Sequence, residues 1–120
     1  PLAQLASVGA EELSREKLIF CNPINVSDEV SRLQWRLTEG RSPADIHFCA
    51  SVEAAEVLAG AGCGVAVVPE ILLPRGDGLV GVPLGGAPAL DYGLFCKRDA
   101  ESGLVRQFIQ TAKKQLTAAV

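Results

Sequence analysis

The sequence predicts an α/β domain with a parallel sheet, and two observations carry this prediction. Short apolar runs of strand length alternate with segments of helical spacing, and residues 65–68 are apolar throughout, as in strands covered on both faces. The 120 residues are 48% hydrophobic and contain no low-complexity or strongly charged block, so one globular unit with its own core is expected.

Capping residues and helical spacing locate the helices. Ser27 and Ser51 can each accept hydrogen bonds from the first free amides of a helix. After Ser27, the residues Val30, Leu33 and Leu37 recur at helical spacing. The predicted elements are a short helix at 11–13, a strand at Leu18–Cys21, a helix at 27–40, a strand at Ile46–Cys49, a helix at 51–60, a strand at 65–68, a turn at 75–78, strands at 79–82 and 92–97, and a helix from Ser102 onward.

The glycine-rich segment at residues 60–64 lies between a predicted helix and the strand that follows it. A dinucleotide-binding loop has the opposite order, because its glycines follow a strand and open a helix whose amides face a phosphate. We therefore interpret the segment as a helix C-cap, where glycine adopts the left-handed conformation easily. The preceding helix has a predicted sheet-facing stripe of Ala54, Ala55, Val57, Leu58 and Ala61.

Charge and hydropathy exclude some classes of partner. The chain has 11 basic and 14 acidic residues, a net charge of -3, and basic residues that are spread out, which argues against direct nucleic-acid binding. No apolar run approaches the length of a membrane span. The chain begins at Pro1, lacks methionine and has no signal peptide pattern, so a fragment or processed product is expected.

The four cysteines have no Cys-x-x-Cys pair, and three of them lie in apolar strand-like runs. This pattern favours reduced, buried thiols and a cytoplasmic location. Two alternatives stay open: a redox sensor that uses Cys21 or Cys63, and a zinc site that uses His47 and Cys49 on one strand face. No cofactor and no metal are expected.

His47 is the only histidine, and Asp45 lies two residues before it. Such a pair could belong to a catalytic site, but the sequence has no nucleophile in a recognisable elbow. A structural role for His47 is favoured, and no catalytic residue is predicted.

In open α/β sheets, ligands bind beyond the carboxyl ends of the strands, where helix N-terminal amides point into a crevice. Asn22 and Ser51 place polar groups there, and the amides near Ser51 would favour a carboxylate or another anion. Each also has a local explanation, because Asn22 can form a turn before Pro23 and Ser51 can cap its helix. The predicted binding residues are Cys21, Asn22, Pro23, Ser51, Val52, Val68 and Pro69.

Three motifs resemble the C-terminal effector-binding region of LysR-type transcriptional regulators. They are Ser-x-Glu-Ala at residues 51–54, Ala-Gly-x-Gly-Val-Ala-x-x-Pro-Glu at 61–70 and Leu-Val-Arg-Gln-Phe at 104–108. The segments at 1–3 and 18–23 lie where that family begins its second subdomain and the first strand there. The resemblance spans nearly the whole chain. Cys63 departs from it, because the family usually has a larger aliphatic residue at this position.

The resemblance implies a type II periplasmic-binding-protein-like fold, with a mixed sheet flanked by helices. Residues 1–85 would form effector-binding subdomain II, and residues 86–120 would form the returning strand and C-terminal helix of subdomain I. It also implies a small-molecule effector bound in the cleft between the subdomains, a homo-oligomer, and promoter binding through an N-terminal winged helix-turn-helix that this sequence lacks. Such a domain would not be an enzyme.

Two other classes stay open at this stage. A solute-binding protein of a transport system has the same architecture, and two disulfides among the four cysteines would favour it. A small α/β enzyme would use Asp45 and His47.

Overall fold

The computed structural model describes residues 2–73, 76, 78–99 and 102–118, and the chain divides into the units Pro1–Leu90 and Asp91–Val120. The first unit contains a three-stranded sheet with β1 (Leu18–Cys21) between β2 (Ile46–Cys49) and β3 (Val65–Ala66). Both pairings are parallel, so the mixed sheet expected from the resemblance is not found in the described strands. A helix follows each of β1 and β2 and returns the chain to the start of the next strand, which is the connection that parallel strands require.

Among the α-helices described in the first unit, the second and third follow the predicted capping residues Ser27 and Ser51, and the first follows Gly9. They are α1 (Ala10–Leu13), α2 (Asp28–Thr38) and α3 (Val52–Gly60), and short 3₁₀ helices lie at Leu2–Gln4, Pro23–Asn25, Pro43–Asp45 and Glu70–Leu72. Ser27 Oγ accepts a hydrogen bond from Val30 N–H at 3.4 Å. After α3 the chain turns at Gly62, whose φ of 77° is the left-handed conformation predicted for a C-cap.

The core of this unit lies against β1, which is buried at all four positions. Leu18 and Phe20 pack with Val8, Leu13, Leu33 and Leu37 on one face of the sheet. The fully buried strand is therefore β1. The sequence predicted that residues 65–68 would form such a strand, but they are only half-buried. The central position of β1 explains this difference, because β2 and β3 form the two edges of the described sheet.

Two details near β3 differ from the sequence prediction. The strand ends at Ala66 rather than Val68, although Val67 N–H still donates to Ile19 O at 3.0 Å. Pro69 has no N–H, so the ladder cannot extend through it. In α3, Ala55 is fully buried but Val57 is 72% exposed, so Val57 does not belong to the sheet-facing stripe.

The strand predicted at residues 79–82 is not formed. An isolated parallel bridge joins Val8 to Leu84 instead, with Val8 N–H donating to Pro83 O at 2.9 Å and Gly85 N–H donating to Val8 O at 2.8 Å. Gly81 and Pro83 interrupt this segment, and both residues disfavour a continuous ladder. The turn predicted at residues 75–78 depends on positions 75 and 77, which lie outside the described residues.

The second unit contains one described helix, α4 (Gly103–Ala118), which confirms the helix predicted from Ser102 onward. Residues 92–97 are not a strand, because they pair with no other strand in the described part of the chain. On α4, Val105, Ile109 and Ala112 are half-buried. None of the helices in the described residues has the length and apolar character needed to cross a membrane.

Candidate functional site

The carboxyl ends of the three parallel strands lie at one edge of the sheet. We call this edge the rim and define it as residues 21–23, 49–52 and 68–69. Asn22 N–H donates to Cys49 O at 2.9 Å, so the pairing of β1 with β2 continues into the rim. Val68 and Pro69 follow β3 at the same edge, but no hydrogen bond among the described residues joins them to the other two strand ends.

Asn22 has the local role that the sequence allowed. Its Oδ1 accepts a hydrogen bond from Ile24 N–H at 3.2 Å and caps the 3₁₀ helix that begins at Pro23. The next asparagine along the chain, Asn25, donates from Nδ2 to Ala50 O at 3.4 Å and ties the loop after β1 to the loop after β2. Within the described residues, Asn22 Nδ2 has no partner, so this amino group can still donate to a ligand.

Ser51 also has its local role, because its Oγ accepts a hydrogen bond from Ala54 N–H at 3.3 Å and caps α3. Sequence reasoning missed the acidic residue beside it. The pKa of the exposed Glu53 carboxyl is lowered, first by its own backbone N–H and then by the Ser51 hydroxyl. Glu53 therefore places a negative charge on the amides that were expected to attract an anion. The signal was present in the sequence as an acidic residue in the first turn of a capped helix.

Cys21 and Cys49 are direct partners in the β1–β2 register. Cys49 Sγ lies 3.3 Å from both Phe20 O and Ser51 O, so these two acceptors share its single S–H proton. Burial raises the pKa of the Cys21 thiol, and the neighbouring Cys49 and the Glu53 carboxylate raise it further. The two thiols thus lie at the ends of paired strands, and Cys49 lies close to the start of α3.

Gln34 is a second residue that the sequence analysis missed. Its side chain is 4% exposed, and its Nε2 donates to Cys21 O at 2.9 Å, which fixes α2 against the end of β1. Its Oε1 is buried and has no hydrogen-bond partner among the described residues. Buried acceptors are nearly always paired in proteins, so this oxygen is an exception within the described residues.

The other predicted residue types do not form a site in the described residues. His47 is exposed on β2 and lies opposite Ile19. No group of three or more metal-ligating side chains is found in the part of the chain that the structure describes. The cysteines at positions 21, 49, 63 and 96 are free thiols.

Open α/β domains with a parallel sheet bind their ligands beyond the carboxyl ends of the strands, and polar groups lie at that edge here. The LysR substrate binding domain family matches residues 1–117, and the chain belongs to this family. The resemblance read from the sequence is therefore confirmed. Membership implies a type II periplasmic-binding-like fold and a regulatory domain that binds a small-molecule effector and is not catalytic. No curated protein and no solved structure matches the chain significantly.

Proposed function

We propose that this chain is the effector-sensing domain of a LysR-type DNA-binding transcriptional regulator. A small molecule binds in the cleft between two subdomains and controls promoter binding by an attached N-terminal winged helix-turn-helix. In this proposal residues 1–85 form effector-binding subdomain II, and residues 86–120 form the returning strand and C-terminal helix of subdomain I. The family match over residues 1–117 is the observation that carries this proposal.

The rim is the proposed effector site. Its support is the hydrogen bond from Asn22 N–H to Cys49 O, which keeps the loops after β1 and β2 side by side. Asn22 Nδ2 after β1 and the first turn of α3 after β2 then offer hydrogen-bonding groups to the proposed effector. The proposed effector-binding residues are Cys21, Asn22, Pro23, Ser51, Val52, Val68 and Pro69.

A carboxylate remains the proposed effector group, and Glu53 determines what its binding requires. The N-terminal amides of α3 attract an anion, but Glu53 already supplies a negative charge there. The Glu53 side chain is exposed, so it can move aside without disturbing the core. An effector carboxylate therefore binds by replacing the Glu53 carboxylate at these amides.

The proposed regulation depends on differential affinity. An effector shifts the regulator only if it binds one arrangement of the subdomains more tightly than another, because equal affinity shifts nothing. The regulator acts in the cytoplasm as a homo-oligomer, and its contact with DNA is made by the N-terminal domain. A coding sequence with a secretion signal in place of the helix-turn-helix would contradict this proposal.

A thermal-shift screen of the full-length regulator tests effector binding. Small carboxylates, amino acids and aromatic acids are the compounds to screen, because a ligand that binds the folded state raises Tm by mass action. We expect Ser51→Ala to reduce the shift caused by a binding compound. Ser27→Ala is the matched control, since it removes an equivalent N-cap from α2 outside the rim.

Both variants lose about 1 kcal/mol of stability through the missing cap, so their Tm values without ligand should fall by similar amounts. Only Ser51→Ala should lose ligand response. Equal ligand responses in the two variants would show that the compound binds elsewhere than the rim.

A further inference from the structure

The pairing of β1 with β2 ends in two cysteines. Cys21 and Cys49 are register partners, so their side chains point to the same face of the sheet. Neighbouring strands lie about 4.8 Å apart, which is within the Cα separation of about 4.4–6.8 Å that a disulfide spans. Cys49 Sγ is 3.3 Å from Phe20 O and therefore leans towards β1 rather than away from it.

We propose that Cys21 and Cys49 form an oxidative modification site, a dithiol that a small peroxide oxidises to a disulfide at the rim and that a thiol reductant restores by exchange. The other two cysteines do not share this arrangement. Cys63 lies after α3 and Cys96 is exposed in the second unit, and neither is a strand-register partner of another cysteine.

The exposure of the two thiols sets the order of the reaction. Cys49 is half-buried and Cys21 is 8% exposed, so the peroxide reaches Cys49 first. The Cys49 thiolate attacks one peroxide oxygen, the O–O bond breaks, and hydrogen peroxide yields a sulfenic acid and water once the thiol proton is counted. The Cys21 sulfur then attacks the Cys49 sulfur and expels the sulfenic oxygen as a second water. Two thiols and one peroxide thus give one disulfide and two waters.

The surroundings of Cys21 suit a resolving thiol. Burial raises the pKa of Cys21, and Cys49 and Glu53 raise it further, so this thiol keeps its proton at neutral pH. A protonated and buried thiol is a poor target for the peroxide itself. It lies beside Cys49, however, and can react with the sulfenic acid once that has formed.

The cross-link would join β1 to β2 within the rim, which is the proposed effector site. Asn22 directly follows Cys21. Ser51 O accepts a hydrogen bond from the Cys49 thiol, and oxidation removes this hydrogen bond because a disulfide has no S–H proton. An effect of this oxidation on effector binding depends on the function proposed above. The formation of the disulfide does not.

The test treats the reduced full-length regulator with hydrogen peroxide, blocks the remaining thiols by alkylation and maps the peptides by mass spectrometry. We expect a peptide that links Cys21 to Cys49 and that disappears after dithiothreitol treatment. Before reduction, neither cysteine should be found in the alkylated form. Cys63→Ser and Cys96→Ser should leave the cross-link unchanged, whereas Cys49→Ser should abolish it. The proposal would be overturned if both Cys21 and Cys49 are found alkylated after peroxide treatment. A link from either one to Cys63 or Cys96 would also overturn it.

The wild-type result needs no variant, so a substitution that prevents folding does not affect it. The cross-linked peptide is also detected without adding an effector. A screen in which no compound binds would contradict the proposed function alone, and a binding compound without a Cys21–Cys49 link would contradict this inference alone.

Discussion

At the residue scale, the charge of the rim depends on Glu53. The carboxylate lies in the first turn of α3, where its own backbone N–H and the Ser51 hydroxyl lower its pKa. It is therefore ionised at neutral pH and opposes a second anion at the same amides. Ser51 and Asn22 were visible in the sequence as polar residues after strands, but this competition depends on where the Glu53 carboxylate lies relative to the helix amides.

Replacing this charge should strengthen the binding of an anionic effector. We expect Glu53→Gln to tighten the binding of a carboxylate by about two- to five-fold, because an interaction at a helix N-terminus is of this size. Isothermal titration of wild type and variant with a carboxylate from the screen measures the effect. Glu29→Gln is the control, since Glu29 has a similarly lowered pKa at the start of α2 outside the rim. Unchanged or weaker binding in Glu53→Gln would contradict a carboxylate at this position.

At the element scale, the entry to β3 requires a glycine. A Cβ added at Gly64 would lie 2.5 Å from Lys17 O, the same oxygen that accepts the hydrogen bond from Val65 N–H at 2.8 Å. A side chain there would push β3 away from β1. Gly60, the last residue of α3, has open space where its Cβ would be.

The two glycines should therefore respond to alanine in opposite directions. Gly64→Ala should lower the free energy of unfolding by about 1–3 kcal/mol, as overpacking does. Gly60→Ala should raise it by about 0.5–1 kcal/mol, because alanine restricts the unfolded chain and favours the helix. Urea denaturation of both variants gives the two values. A loss of similar size in both would show that Gly64 is not in close contact with Lys17.

Arg41 joins elements in a way that the sequence does not reveal. Its guanidinium donates to Leu37 O at 2.7 Å, to Glu16 O at 2.8 Å and to Leu13 O. Leu37 and Leu13 lie in the last turns of α2 and α1, where helices leave carbonyls without intrahelical partners, and Glu16 follows α1. Two of them are 25 and 28 residues away along the chain, so no local pattern could connect them to Arg41.

At the scale of the whole molecule, local signals predicted the helices better than the strands. Ser27 and Ser51 cap their helices as expected because a cap involves residues only three positions apart. The predictions of strands at 79–82 and 92–97 were wrong, because a strand needs a partner whose position is set by the fold. The position of the rim could be anticipated for a different reason, because the carboxyl ends of parallel strands meet at one edge of a sheet. The pairing of Cys21 with Cys49 needed the register.

The carboxylates at the helix starts also give the molecule a defined pH dependence. The pKa values of Glu12, Glu29 and Glu53 are lowered from 4.5, for Glu12 chiefly because Gly9 N–H donates to its Oε2 at 2.7 Å. A carboxyl whose pKa is lower in the folded state stabilises the fold above its unfolded pKa, and this stabilisation is lost as pH falls through the folded value. The contribution of Cys21 to stability has the opposite pH dependence. Its pKa is raised from 9.0, so the folded state favours the protonated thiol and this stabilisation is lost at higher pH.

We therefore expect the urea midpoint of the reduced protein to be nearly constant from about pH 5 to about pH 8.5, with a decrease on either side. The acidic decrease should begin near pH 4.5, where these three carboxyls would titrate in the unfolded chain. Glu12→Gln should make it smaller, because the variant has one fewer carboxylate that loses its partner on protonation. Cys21→Ala should reduce the decrease above pH 9.0 and leave the acidic side unchanged. A midpoint that rises below pH 4 would mean that these carboxyls are not stabilised in their ionised form by the helix amides.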